Sequence, residues 1–273
     1  MQVKNLTDSS FEDIVSCFLK AFANYYVEFP SDKEYFRQRW ELSGIRYDLS
    51  YGVFHDSRLL GFILHGVENR DSQTTAFNLA TGVIPEFRGQ KLTRTMYDFA
   101  LFDLKRNGVT KSRLEVIKAN EYAIRAYSSI GFQITRHYKC FSGTIRLSEP
   151  LPFELIETAI ADFDFGLIPD QRDYSWENRK ESIQGGDFIC YQVLNGSTVE
   201  AVFIINKLGY IPQFEVFIEG DEAWTRLFSA INSISEKIKI NNVDERFKSK
   251  IKQLQNFGLN NTIDQYEMEL PIE

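Results

Sequence analysis

The chain has 273 residues, 43% of them hydrophobic and 25% charged, with a net charge of −7; this fits one or two packed domains and excludes a disordered chain. The acidic balance argues against nucleic acid or an anionic membrane surface as a partner, and it tolerates a cationic substrate. Cys17, Cys140 and Cys190 are scattered and odd in number, which suits a reducing compartment; no metal-ligand spacing occurs, and no leader-like start or membrane-length apolar run is visible, so the expected location is cytoplasmic.

In chain order, Asp8–Ser10 lead into an amphipathic helix over "FEDIVSCFLKAFANYY", with Phe11, Ile14, Phe18 and Phe22 at helical spacing. After Pro30, "SDKEYFRQRWEL" reads as a second helix capped by Ser31 or Asp32. A hairpin is expected around Asp56-Ser57, and "TAFNLATGVI" is a further strand. The strand stops at Pro85, an Arg-Gly pair follows, and a helix begins almost at once in "VIPEFRGQKLTRTMY". The first turn of a helix carries amides without internal partners and the positive end of the dipole, and a glycine ahead of it admits a bulky anion. The stretch therefore reads as a phosphate site. Its helix ends at Gly108, "SRLEVI" is a short strand, a helix runs from Asn120 to Gly131, and "QITRHYKCFSGTIRL" is a long strand.

An internal repeat follows. Tyr51–Leu64 lines up with Tyr191–Ile204, and "AIRAYSSIGF" with "KIKQLQNFGL", so that Gly131 meets Gly258. The prolines at 150 and 152 mark a junction, giving expected domains of residues 1–147 and 148–273. Each half has one clear strand after its last helix, so the halves are expected to share or exchange end strands.

The first half resembles the GNAT superfamily of acetyl-CoA-dependent N-acyltransferases. Val83, Pro85, Phe87, Arg88, Gly89 and Leu92 meet one family motif; Leu114, Val116, Asn120, Ala123, Tyr127, Gly131 and Phe132 meet the other. The resemblance implies an α/β (α+β) fold of two tandem units, each a mixed, mostly antiparallel central sheet flanked by helices, the second degenerate. Acetyl-CoA would lie where the fourth and fifth strands splay apart. Cofactor contacts are then expected from Val83, Ile84, Arg88, Gly89, Gln90, Lys91, Leu92, Thr93, Asn120, Ala123 and Tyr127, with no metal. Lys91 stands where the family usually has glycine, which is compatible if its φ stays negative, and Thr93 stands where glycine or alanine is common.

The implied chemistry is direct attack of an amine on the thioester, which needs a base, oxyanion donors and a group for the leaving thiolate. Tyr127 matches the family tyrosine near the cofactor sulfur, although a core aromatic would also fit there. Asn120 either contacts the cofactor or merely caps its helix. The base is open between Glu28, Glu115 and a water chain, since the fourth strand offers only Asn78 and threonines such as Thr81. The oxyanion donor is expected to be a backbone amide near Val83 or Ile84. Tyr25, Tyr26 and Glu28, with Asn78 and Thr81, are the acceptor-side candidates for a small-molecule or peptide amine. The second half has Glu219, Asp221 and Glu222 around the would-be phosphate loop, Leu254 for Tyr127 and Phe247 for Asn120. It reads as a half that shapes the acceptor side or joins a homodimer. A non-catalytic CoA-binding regulator and an interaction scaffold are the alternative functions.

Overall fold

The computed structural model describes residues 1–70, 73–168, 170–218 and 220–272. The chain forms two compact units that are not contiguous in sequence. The first comprises Met1–Val116, Asn120–Thr135 and the C-terminal residues from Glu267; the second comprises Ile117–Ala119 and Arg136–Tyr266.

In the first unit, β1 (Gln2–Asn5) is followed by α1 (Phe11–Ala21) and α2 (Lys33–Leu42). Ser10 caps α1 by accepting from the Asp13 amide, and Asp32 caps α2 through Glu34. The α1 apolar stripe Ile14, Val15, Phe18 and Ala21 is buried, with Phe18 stacked on Phe62 at 5.9 Å. Helix α1 ends sooner than its hydrophobic spacing predicts, which frees Tyr25 and Tyr26 to lie in the connection to α2. Strands β2 (Tyr51–His55) and β3 (Arg58–Arg70) form the expected hairpin. Asp56 and Ser57 hold φ of 46° and 66°, as a two-residue hairpin turn with positive φ at both centres requires.

Strand β4 (Gln73–Val83) pairs antiparallel with β3; Leu64 lies opposite Ala80 and His65 opposite Asn78, so Leu79 is an extra, bulged residue. Helix α3 (Leu92–Arg106), strand β5 (Lys111–Ile117), helix α4 (Glu121–Ile130) and the start of β6 (Gln133–Thr144) complete this part of the unit. Helices α1 and α3 cover opposite faces of the sheet: Phe62 meets α1, whereas Tyr51, which faces the adjacent Ile63 across the β2–β3 ladder, donates its hydroxyl to Asp103 of α3.

In the second unit, after β7 (Glu154–Ala159), short 3-10 turns and a one-turn helix α5 (Lys180–Ile183) take the place of two long helices. Strands β8 (Phe188–Asn195), β9 (Thr198–Asn206) and β10 (Gln213–Val216) make a four-stranded antiparallel sheet with β7. Helix α6 (Asp221–Ile234), strand β11 (Lys237–Asp244), which pairs with β6, and helix α7 (Lys248–Asn256) follow. Phe203, Leu227, Phe228 and Leu254 anchor its core. The last strand, β12 (Asn260–Pro271), is divided: its residues through Tyr266 belong to the second unit and those from Glu267 to the first, beside β5. Of the sharing or exchange of end strands expected from the sequence, the structure has one strand shared by both units.

His65 is fully buried, its Nδ1 is 2.7 Å from the Leu49 carbonyl oxygen, and burial pulls its pKa from 6.5 to about 4. Below pH 6.5 only the unfolded chain then takes the proton, so stability is full at neutral pH and is lost as pH falls toward 4. The expected loss is roughly 3 kcal/mol over that window, and denaturant titrations of His65→Asn should show this component of the acid slope removed.

Candidate functional site in the first unit

Strands β4 and β5 are parallel and in register only from Thr75–Lys111 to Asn78–Leu114. Beyond that vertex the ladder stops, and the bulge at Leu79 lies at the point of separation. Ile84 donates its amide to Leu60 at 2.9 Å, which makes that pair hydrogen-bonded and, by antiparallel alternation, turns the Val83 and Thr81 amides away from β3 toward the open stretch. Of the two amides expected to serve the oxyanion, Ile84 is therefore committed within the sheet, while Val83 faces the opening.

The loop after β4 carries the residues expected to contact the cofactor's phosphates. Arg88 donates Nε to the Val83 carbonyl at 3.1 Å and Nη2 to that of Ala21 at 2.7 Å, so its guanidinium pins the loop to the end of α1. Gly89 has φ +76° and open space where a Cβ would stand, so conformation rather than room requires glycine there. Gln90 and Lys91 are exposed, Leu92 is buried in the core and Thr93 is half-buried. No side chain caps α3, so the first-turn amides of Leu92, Thr93 and Arg94 are left to bind an anion.

Lys91 differs from the sequence expectation: its φ is +57°, in the left-handed region. The chain needs a glycine-like turn to enter α3 there, and the lysine takes it at a cost of about 1–2 kcal/mol. Lys91→Gly should recover about 1 kcal/mol in denaturant unfolding, whereas Lys91→Ala should recover little; that contrast separates backbone strain from loss of the ammonium.

Around the vertex a hydroxyl cluster assembles. Asn78, 5% exposed, donates Nδ2 to Thr81 Oγ1 at 2.7 Å and to the Tyr97 hydroxyl at 2.6 Å. Tyr97 and Tyr127 meet edge to face at 6.1 Å, and Phe132 packs on both. Burial pushes the Tyr127 hydroxyl up to about 12, with hydrogen bonds from Thr81 and Asn78 acting the other way. Asn120 does two things: Oδ1 accepts the Ala123 amide at 3.2 Å, capping α4, and its side chain bonds the Tyr25 hydroxyl. The pKa of Tyr25 is raised by burial, against that bond. Tyr26 sits edge-on to Tyr25 at 5.3 Å and is half exposed.

The two carboxylate candidates differ in setting. Glu28 is exposed; Glu115 is half-buried, and strand alternation puts it on the face opposite Leu114 and Asn78, which is the face of α1 and the Tyr25 connection. Tyr97 was missed by sequence reasoning. Its signal was a tyrosine within the buried stripe Met96, Ala100, Leu104, where a hydroxyl must find a partner.

In the second unit the corresponding place between β10 and β11 is a small cavity lined by Tyr174, Phe214, Glu215, Phe247 and Lys250. Lys250, aligned with Ala123, has Nζ 2.6 Å from Glu215 Oε1, and the Tyr174 hydroxyl lies 2.6 Å from the same oxygen. Burial pulls the Lys250 pKa down, with Glu215 opposing. The rings of Phe214 and Phe247 flank the ammonium at 4.8 and 5.4 Å. Leu254 is core, Phe247 precedes α7, and Asp221 and Glu222 occupy the first turn of α6; Glu219 lies outside the described residues. Among the described residues no cluster could hold a metal ion, and no helix is long and apolar enough to cross a membrane.

Residues 13–132 match the acetyltransferase (GNAT) family. Over its whole length the chain is similar in fold to a Pyrococcus horikoshii protein (14% identity, TM-score 0.70, 100% of this chain and 89% of that one). It is similar also to a GCN5-related N-acetyltransferase from Sphaerobacter thermophilus (14%, TM-score 0.65, 100% and 96%). A tandem GNAT protein from the clavulanic acid biosynthesis pathway aligns equally fully (12%, TM-score 0.68, 100% and 99%). At such identities the likeness is one of fold. No curated relative matches the sequence. Residues 13–132 thus match the acetyltransferase (GNAT) family, and the chain as a whole is similar in fold to a tandem GNAT protein.

Proposed function

We propose that the first unit transfers an acetyl group from acetyl-CoA to an amine of a small molecule or peptide by direct attack. The observation that carries this reading is the hydroxyl cluster at the β4–β5 vertex, within one strand-length of an uncapped helix mouth. The cofactor, when bound, supplies a thioester carbonyl carbon open to a nucleophile. The amides of residues 89–93 would bind its diphosphate, and the Val83 and Thr81 amides would lie along its extended arm. With Thr81 and Asn78 as hydrogen-bond neighbours, the Tyr127 hydroxyl would turn its own hydrogen to the leaving sulfur. Glu115, half-buried on β5 one residue beyond the vertex, is the assigned general base. Tyr25 and Tyr26 would receive the acceptor.

Acetyl-CoA should raise the melting temperature of the full chain, and turnover across a panel of amines should be lost in Glu115→Gln. Binding without turnover would favour a CoA-binding regulator; neither would favour a scaffold.

A further inference from the structure

Asn78 is the last β4 residue in register with β5, at the base of the open stretch. Its Nδ2 is turned to the hydroxyls of Thr81 and Tyr97, which fixes the amide plane. Its Oδ1 is enclosed and has no hydrogen-bond partner. A core position with no use for a polar group is ordinarily apolar, because an unpaired buried acceptor is costly. The oxygen calls for a ligand that brings a donor to the vertex. Among the reacting groups neither the acetyl group nor the sulfur carries one; the amine does.

We propose that Asn78 Oδ1 receives one N–H of the acceptor amine and thereby selects primary amines; this rests on the acetyl-transfer reading above. The nitrogen lone pair forms the bond to the thioester carbon, and the carbon–sulfur bond breaks with its electron pair going to sulfur. One N–H stays on Asn78 and persists in the product amide. The other proton leaves the nitrogen, relayed by the base, and ends on sulfur as the thiol. The Asn78 oxygen is too weak a base to take a proton, so it orients the nitrogen and holds its remaining hydrogen. A secondary amine has one N–H, which it must lose, and keeps none for Asn78.

The test is kcat/KM with acetyl-CoA for tyramine, benzylamine and phenylalaninamide, each beside its N-methyl form, in the wild type, Asn78→Leu and Asn78→Asp. The wild type should favour the primary amine by about tenfold or more, the size of one hydrogen bond. Asn78→Leu should bring the ratio near parity. Asn78→Asp, which keeps an oxygen acceptor in the same shape, should preserve the preference, and it carries the test if the leucine variant does not fold. A ratio unchanged in Asn78→Leu, or lost in Asn78→Asp, overturns the proposal while leaving acetyl transfer standing. No turnover of any of these amines by the wild type removes the acetyl-transfer reading and this proposal together.

Discussion

Replacing Tyr127 by Phe is expected to lower kcat about 100-fold while leaving KM for acetyl-CoA nearly unchanged. The hydroxyl is buried, and its pKa near 12 keeps it protonated throughout the physiological range. A leaving thiolate has an ordinary pKa of about 8.5, so full proton transfer from Tyr127 would run uphill; on the proposed function the phenol would instead stabilise the sulfur by a charge-assisted hydrogen bond. Such a bond is worth about 1.5–3 kcal/mol, which brackets a hundredfold change in rate. Because the bond exists only as charge develops on sulfur, its loss appears in kcat rather than in binding. The ring contacts with Tyr97 and Phe132 survive the substitution, so the fold should hold. Steady-state kinetics decide the matter: a phenylalanine variant with wild-type kcat would relegate Tyr127 to packing.

Truncation after Tyr266 should unfold or strongly destabilise the first unit while sparing the second. The removed residues belong to the first unit although they are the last in the chain. Glu269 bonds Arg113 at 2.5 Å and Lys111 at 3.1 Å, the buried Glu267 sits 3.8 Å from Arg113, and the Ile272 amide donates to Thr110 at 2.8 Å. Leu270 packs against Gly131, where a Cβ would come within 3.2 Å of it. Deleting the carboxylates strands a largely buried guanidinium, a loss of about 3–5 kcal/mol by itself, and exposes the free edge of β5. At roughly 2–4 °C per kcal/mol for a unit of this size, the melting temperature should fall by about 10 °C or more. Thermal unfolding with limited proteolysis would show cleavage concentrated before residue 136. An unchanged melting curve would mean that β5 does not depend on this strand.

Much of the first unit was legible locally. Ser10, Asp32 and Asn120 cap the helices expected of them, and Asp56-Ser57 turns the hairpin, because caps and two-residue turns are set by residues adjacent in sequence. The turn from β4 into α3 was legible for the same reason. Lys91 misled because a side chain that can take either sign of φ gives no sign of its own; the geometry of entering α3 chose the left-handed one. Arg88 was expected among the cofactor contacts; that two carbonyls, one of them 67 residues away in sequence, hold its guanidinium was not legible.

The vertex cluster shows the other limit. Tyr97 drew no reading from the sequence, and Asn78 was only one of several acceptor-side candidates. Only the approach of α3 and α4 to the end of the β4–β5 ladder makes them partners of Tyr127. Short-range spacing and backbone preference were enough to specify the elements of the first unit, the repeat and the glycine-led turn into α3. The closing of the layers settled the rest: which end strand completes which unit, which hydroxyls converge, and which buried amide oxygen is left without a partner. Those outcomes depend on contacts between segments far apart in the chain, where burial and hydrogen-bond satisfaction are fixed only once distant faces meet.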